Sequence, residues 1–84
     1  MSPDLDRSRP IWKQIAAIVE QRIEDGIYGP GSRVPGLHEL AAEFGVAVST
    51  IQKALAHLKT LGLIRSELGL GTYVLTPEER QQQG

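Results

Sequence analysis

Eighty-four residues, a formal net charge of −1 and no cysteine set the first limits. The length suits one small domain with a thin core, in which every large apolar side chain counts, and the missing thiols exclude disulfides, thiolate metal ligands and a cysteine nucleophile. No apolar run approaches the roughly 20 residues that span a bilayer, and residues 1–9 are polar with both signs of charge rather than a signal peptide, so a soluble, cytoplasmic chain with no membrane partner is expected.

Residues 1–9 read as a flexible arm; its acids, Asp4 and Asp6, do not suit an anionic partner. Pro10 then opens a helix, where its missing amide hydrogen costs nothing. Trp12, Ile15, Ala16, Val19 and Ile23 recur at i, i+3, i+4, i+7 and i+11 as one apolar stripe, while Lys13, Gln14, Glu20, Gln21 and Glu24 take the other side. Trp12 can serve as a ligand platform, but at the head of that stripe it reads better as a core anchor. The helix stops at Gly26. Residues 26–36 hold four glycines and two prolines, which no helix tolerates. Ile27 and Tyr28 are expected to fold back on the first helix, Pro30-Gly31 to make a turn with glycine third, and Arg33-Val34 to add a very short strand. The loop lacks the spacing of a nucleotide-phosphate cradle.

Leu37, Leu40, Ala41 and Phe44 repeat at helical spacing. Gly45 ends that helix, because glycine tolerates the left-handed conformation that follows a helix. After three small residues the period resumes at Ile51, Ala54, Leu55 and Leu58. Two helices joined by a glycine-centred turn make a helix-turn-helix over 37–61, a unit that lays its second helix, here 49–61, in a DNA major groove. Net charge speaks against phosphate contact. Yet no acid lies between Glu43 and Glu67, whereas Lys53, Lys59 and Arg65 do. Such a window is as readily a plain solvated face; its coincidence with the groove helix is what favours function.

Residues 63–66 and 72–75 are β-prone and flank a loop containing Gly69 and Gly71, a hairpin signature. A helix-turn-helix followed directly by a hairpin is the winged helix-turn-helix layout: a mainly α fold of three helices with a small β-hairpin as wing, over residues 10–76. Residues 77–84 are a polar, glutamine-rich tail, read as a linker or a frayed end.

The stretch from Pro10 to Val74 carries IWKQIAAIVEQRIEDGIYGPGSRVP, ELAAEFGV, ALAHLKTLGLI and GLGTYV in order, and it resembles the amino-terminal domain of GntR-type bacterial transcription regulators. The resemblance implies a sequence-specific DNA-binding transcriptional regulator, a repressor by type. Such a protein binds a near-palindromic operator in double-stranded DNA as a homodimer, with its wing, here 67–71, near the minor groove. Family members usually continue into a carboxy-terminal sensor domain. Eighty-four residues leave no effector domain in this chain, as in a single-domain protein or a fragment cut at the linker.

Departures from the family pattern fall on the DNA-facing surface. Where the family runs Ser-Glu-Arg after the proline, this chain has Gly36, Leu37 and His38. The Ser-Arg at the start of the groove helix is Ala47-Val48, and the Gly-Arg-Gly of the wing is Gly69-Leu70-Gly71. Each arginine paired with guanine discriminates by about 1–3 kcal/mol. The chain therefore either reads a less guanine-dependent site or, as the alternative, is a protein-interaction module on the same frame, with Leu37, Val48 and Leu70 exposed.

Candidate DNA contacts remain. Gln52 can bond adenine in bidentate fashion and Val48 can meet a thymine methyl. Ser49, Thr50 and Lys53 suit phosphate, His38 can donate to it, and His57 and Arg65 extend the basic window. Leu70 at the wing tip suits the minor groove or a protein interface. Against these, Ser49 and Gln52 also fit a capping box that would occupy both side chains, and His57 and Lys59 are as easily plain solvent-facing residues. His38 and His57 lie on different elements with no carboxylate at metal-ligand spacing, and no nucleophile has a partnered base. No enzymatic activity, metal or cofactor is expected.

Overall fold

The computed structural model describes residues 5–67 and 69–81. In order they form α1 (Ile11–Glu24), β1 (Arg33–Val34), α2 (Leu37–Phe44), α3 (Val48–Thr60), β2 (Ile64–Glu67), β3 (Gly71–Val74) and α4 (Pro77–Gln81). Pro10 stands just before the first helical residue, its ring holding φ at −56°. Ile15, Ala16, Val19 and Ile23 of α1 are buried as the stripe requires. Trp12 is not among them: it is half-buried at the core's edge, which corrects its reading as a core anchor.

Leu40, Ala41 and Phe44 of α2 and Ile51, Ala54, Leu55 and Leu58 of α3 close the core against α1. The turn between them is set by Gly45, whose φ of 68° is left-handed. The next amide, Val46 N–H, donates back to the Ala41 carbonyl at 3.0 Å, and Val46 packs on the core. Together these make a Schellman stop that fixes the exit direction. Replacing Gly45 would strain this turn rather than any packing, since a Cβ there meets nothing within 4 Å.

The wing is broader than a hairpin. All three strands form one antiparallel sheet in the order β1-β3-β2, with Ile64 opposite Val74 and Glu67 opposite Gly71 on one side of β3, and Val34 opposite Thr72 on the other. The short Arg33-Val34 strand thus becomes an edge of the wing's base. Val34, Ile64 and Val74 are buried in the core cluster and close it on the sheet side, and Leu75 beyond them is buried as well.

A polar clamp locks the remaining corner. Arg22 of α1 forms a two-pronged pair with Glu43 of α2, donates to Tyr28 Oη at 2.6 Å, and lies over the Phe44 ring at 5.3 Å. The Glu43 carboxylate raises the guanidinium's already high pKa further, so it stays charged. Tyr28 folds back as expected, whereas Ile27 points outward at 67% exposure.

The described residues next to each end make defined contacts, while residues 82–84 of the polar tail lie outside the described residues. Asp6 N–H donates to Gln14 Oε1 at 2.8 Å and Gln14 Nε2 donates to the Asp6 carbonyl at 2.7 Å, so the described part of the amino-terminal arm is pinned to α1; residues 1–4 lie outside the described residues. At the other end, the tail read as a linker or frayed end starts with a capping box. The Thr76 amide donates to Glu79 Oε1 at 3.0 Å, and the Glu79 amide donates to Thr76 Oγ1 at 3.2 Å.

Candidate nucleic-acid interface

Helix α3 is the element on which the site is built. One side carries the buried Ile51, Ala54, Leu55 and Leu58, and the opposite side exposes Ser49, Gln52, Lys53, Ala56, His57, Lys59 and Thr60. The helix begins at Val48, one residue earlier than the sequence suggests, and its N-cap is Ala47 with extended backbone and no side-chain capping bond. The Ser49–Gln52 capping box is therefore absent. A serine one residue inside the helix cannot fold back on the amides that an N-cap serves. Both side chains are left facing outward. No acid sits in the first turn of α3, so the positive end of the helix dipole is uncompensated there.

Each edge of this exposed face carries cations in a distinct setting. Toward α1, the half-buried Trp12 ring is a platform. Lys53 Nζ lies 5.2 Å from its centroid, Lys13 Nζ lies 5.7 Å away, and the His57 ring meets it edge-on at 5.4 Å. These are cation–π and T-shaped geometries. Trp12, Ile11, Ser49, Thr50 and Lys53 line an open cleft of about 340 Å³. Toward the wing, Lys59 Nζ donates to Ser66 Oγ at 2.9 Å. There a groove of about 310 Å³ runs past Leu37, Gln52, Leu55, Ala56 and Thr72, and a neighbouring hollow continues it to Arg33 and Gly71.

Of the residues singled out from the sequence, Ser49, Thr50 and Lys53 come together at the Trp12 cleft, with His57 on the same ring. Gln52 faces the wing groove instead. Val48 and Thr50 are half-buried, and His38 is exposed on α2 beside Leu37. Leu70 is 64% exposed at the wing tip. Arg65 is differently placed from the free cation that the basic window suggests. Its Nε donates to Glu79 Oε2 at 2.8 Å, it pairs with Glu67, and its guanidinium lies 5.2 Å from the Tyr73 ring centroid. Glu79 is held below the usual carboxylate range, chiefly by the Thr76 amide that it accepts and further by Arg65.

Sequence reasoning set Trp12 aside as a core anchor and gave Arg33 no site role. Trp12 heads the apolar stripe of α1, so periodicity outweighs the platform reading; the flanking Lys13 is the available sign of a mixed role. Arg33 is exposed on the edge strand, and a Cβ built on Gly71 would approach its Nε to 2.7 Å, so its side chain lies directly across the wing. Only tertiary pairing of β1 with β3 brings it there.

A tri-helical core, a glycine-stopped turn and a three-stranded wing beside an exposed helix define the winged helix-turn-helix class. Residues 12–74 match the family described as bacterial regulatory proteins, gntR family, and the chain belongs to that family. It is 38% identical over 73 residues to the HTH-type transcriptional regulator YdeF of Bacillus subtilis, covering 86% of this chain and 16% of that protein. It is 33% identical over 69 residues to the histidine utilization repressor of Klebsiella aerogenes, covering 82% of this chain and 29% of the relative. The chain thus spans less than a third of the length of either relative. Among solved structures it superposes on the AraR DNA-binding domain in complex with operator ORX1 with a TM-score of 0.76 at 32% identity, covering 88% of this chain and 90% of that one.

Proposed function

We propose that the chain is a sequence-specific DNA-binding transcription regulator, acting as a repressor in the cytoplasm, that lays α3 in the major groove and the wing near the minor groove. The observation that carries this reading is the outward face of α3: exposed, free of acids, and bordered by cations along both edges. That is the distribution a helix needs to sit between two phosphate backbones. Neither Glu20 nor Glu24 pairs with this face among the described residues. The AraR complex with operator DNA and the relative named as a repressor support the same reading. Lys53, Lys59, Arg33 and His38 then serve as phosphate contacts, and two copies on a near-palindromic operator would place their half-sites about one helical turn apart.

Selection from a random duplex library at two salt concentrations tests this. The expected outcome is a two-fold site whose affinity falls steeply with salt; no preferred sequence at low salt would overturn it. The protein-interaction alternative needs Leu37, Val48 and Leu70 to form one exposed apolar patch. Only Leu70 is strongly exposed, while Leu37 and Val48 are partly buried against the core, which weighs against that alternative.

A further inference from the structure

The charges of the interface are sorted. Lys53 and His57 are gathered on the Trp12 ring, Lys59 on Ser66, Arg33 across Gly71, and Arg65 on Glu67 and Glu79. Every one of these lies at the rim of α3 or on the wing. The other exposed side chains of the helix are neutral: Ser49 beside the Trp12 cleft, Ala56 and Thr60 between the edges, and Gln52 on the flank that faces the wing groove. Neither α2 nor α3 contains an arginine. Gln52 is exposed, no capping box occupies it, and its carboxamide makes no hydrogen bond among the described residues.

A free carboxamide offers one donor and one acceptor side by side, the complement of adenine N6 and N7; guanine presents two acceptors there and rewards a guanidinium or ammonium instead. Val48, packed on the core along one side and so only partly exposed, stands one turn earlier, i−4 from Gln52, which is about 6 Å along the helix. That puts an apolar side chain within two base-pair steps of the glutamine, where a thymine methyl is the matching feature.

Resting on the DNA-binding reading above, we infer that the centre of each half-site is read as A·T pairs. Gln52 is the specificity-determining residue on adenine, Val48 meets a neighbouring thymine methyl, and the rim cations contribute affinity without sequence preference.

The test starts from the site recovered out of a random duplex library. Each adenine is replaced singly by 7-deazaadenine, which lacks the N7 acceptor, and each thymine by uracil, which lacks the methyl. One adenine per half-site should lose about 5- to 100-fold in affinity on deaza replacement. Gln52→Ala should erase that sensitivity while leaving the salt slope and the melting temperature nearly unchanged, because the side chain is exposed and uncharged. A nearby uracil should cost a few-fold in the native chain and nothing in Val48→Ala. A selected half-site with guanine at the Gln52-dependent position, or a Gln52→Ala chain with the original sequence preference, would overturn the inference and leave DNA binding standing. A chain that selects no sequence would overturn the DNA-binding reading itself, and this inference with it.

Discussion

The two edges of α3 hold their lysines by different means, and the contrast explains how a small domain can present charge on both sides of one helix. On the α1 edge, Lys53 rests on an aromatic ring that is itself wedged against the core. On the wing edge, Lys59 is tied to Ser66, an exposed residue of β2. The energies are alike, since an exposed cation–π contact contributes about 0.5–1 kcal/mol and a net hydrogen bond about 0.5–1.5 kcal/mol. What differs is the base on which each stands. Trp12 stands on helix-on-helix packing, whereas Ser66 stands on a strand whose outer end is the glycine-flanked wing tip. The first edge should behave as part of the fold, and the second as part of a separately deformable wing.

The largest expected effect comes from removing the rigid base. Trp12→Ala should lower stability by about 2–3 kcal/mol, less than the 3–5 kcal/mol of a fully buried tryptophan because the ring is half exposed. The melting temperature by circular dichroism should fall by roughly 10 °C or more. Trp12→Ala should also weaken DNA binding by loosening Lys53, and Trp12→Phe should recover most of both stability and affinity; a phenylalanine variant as weak as alanine would refute the platform role.

Next comes the wing. Gly71 has a φ of 120°, and a Cβ there would sit 2.7 Å from Arg33 Nε. Gly71→Ala should therefore cost about 1–3 kcal/mol of backbone strain and displace Arg33. Amide exchange should rise in β2 and β3 while α1 and α3 remain protected. Uniform loosening would show that the wing and helices are one cooperative unit.

Smaller effects separate the two lysines. Lys53→Ala and Lys59→Ala should each reduce the slope of log affinity against log salt by about 0.9. The Lys59 effect should already be partly present in Gly71→Ala if the wing governs that edge. Equal behaviour of both lysines in the Gly71 background would remove the distinction.

The smallest effect is pH-dependent. The Glu79 carboxyl is depressed below its ordinary range by the Thr76 amide and by Arg65. Its folded-state value lies below the unfolded one, so its contribution is complete at neutral pH and is lost as pH falls through the depressed value. Glu79→Gln should loosen α4 at neutral pH and make its amide protection, taken relative to the intrinsic exchange rate, insensitive to acidification; an unchanged acid profile would exclude Glu79 as the source.

The buried half of α3 was legible because Ile51, Ala54, Leu55 and Leu58 follow helical period, and burial obeys period. The turn was legible because Gly45 has a local conformational reason to be there. The outward half was less so. Ser49 and Gln52 match a capping box in spacing, but the helix starts at Val48, and where a helix starts depends on how the Gly45 stop aims the chain. Arg65 belonged to a basic run in sequence, yet its partners Glu67 and Glu79 are assembled by strand pairing and by a capping box beyond the wing. The very short strand at Arg33-Val34 is legible as a strand, but two residues carry no periodicity to say what it pairs with; its place at the wing's edge comes from pairing with β3.

Trp12 is the single tryptophan of the chain. Its indole sits beside Lys53 and His57, at the rim of the surface assigned to DNA, so the molecule has an intrinsic optical reporter where occupancy should register. Its emission should respond to a duplex seated against α3 without any attached dye. Substitutions on the wing edge should leave the colour of the unbound protein unchanged, while those at Lys53 or His57 should alter it before any ligand is added.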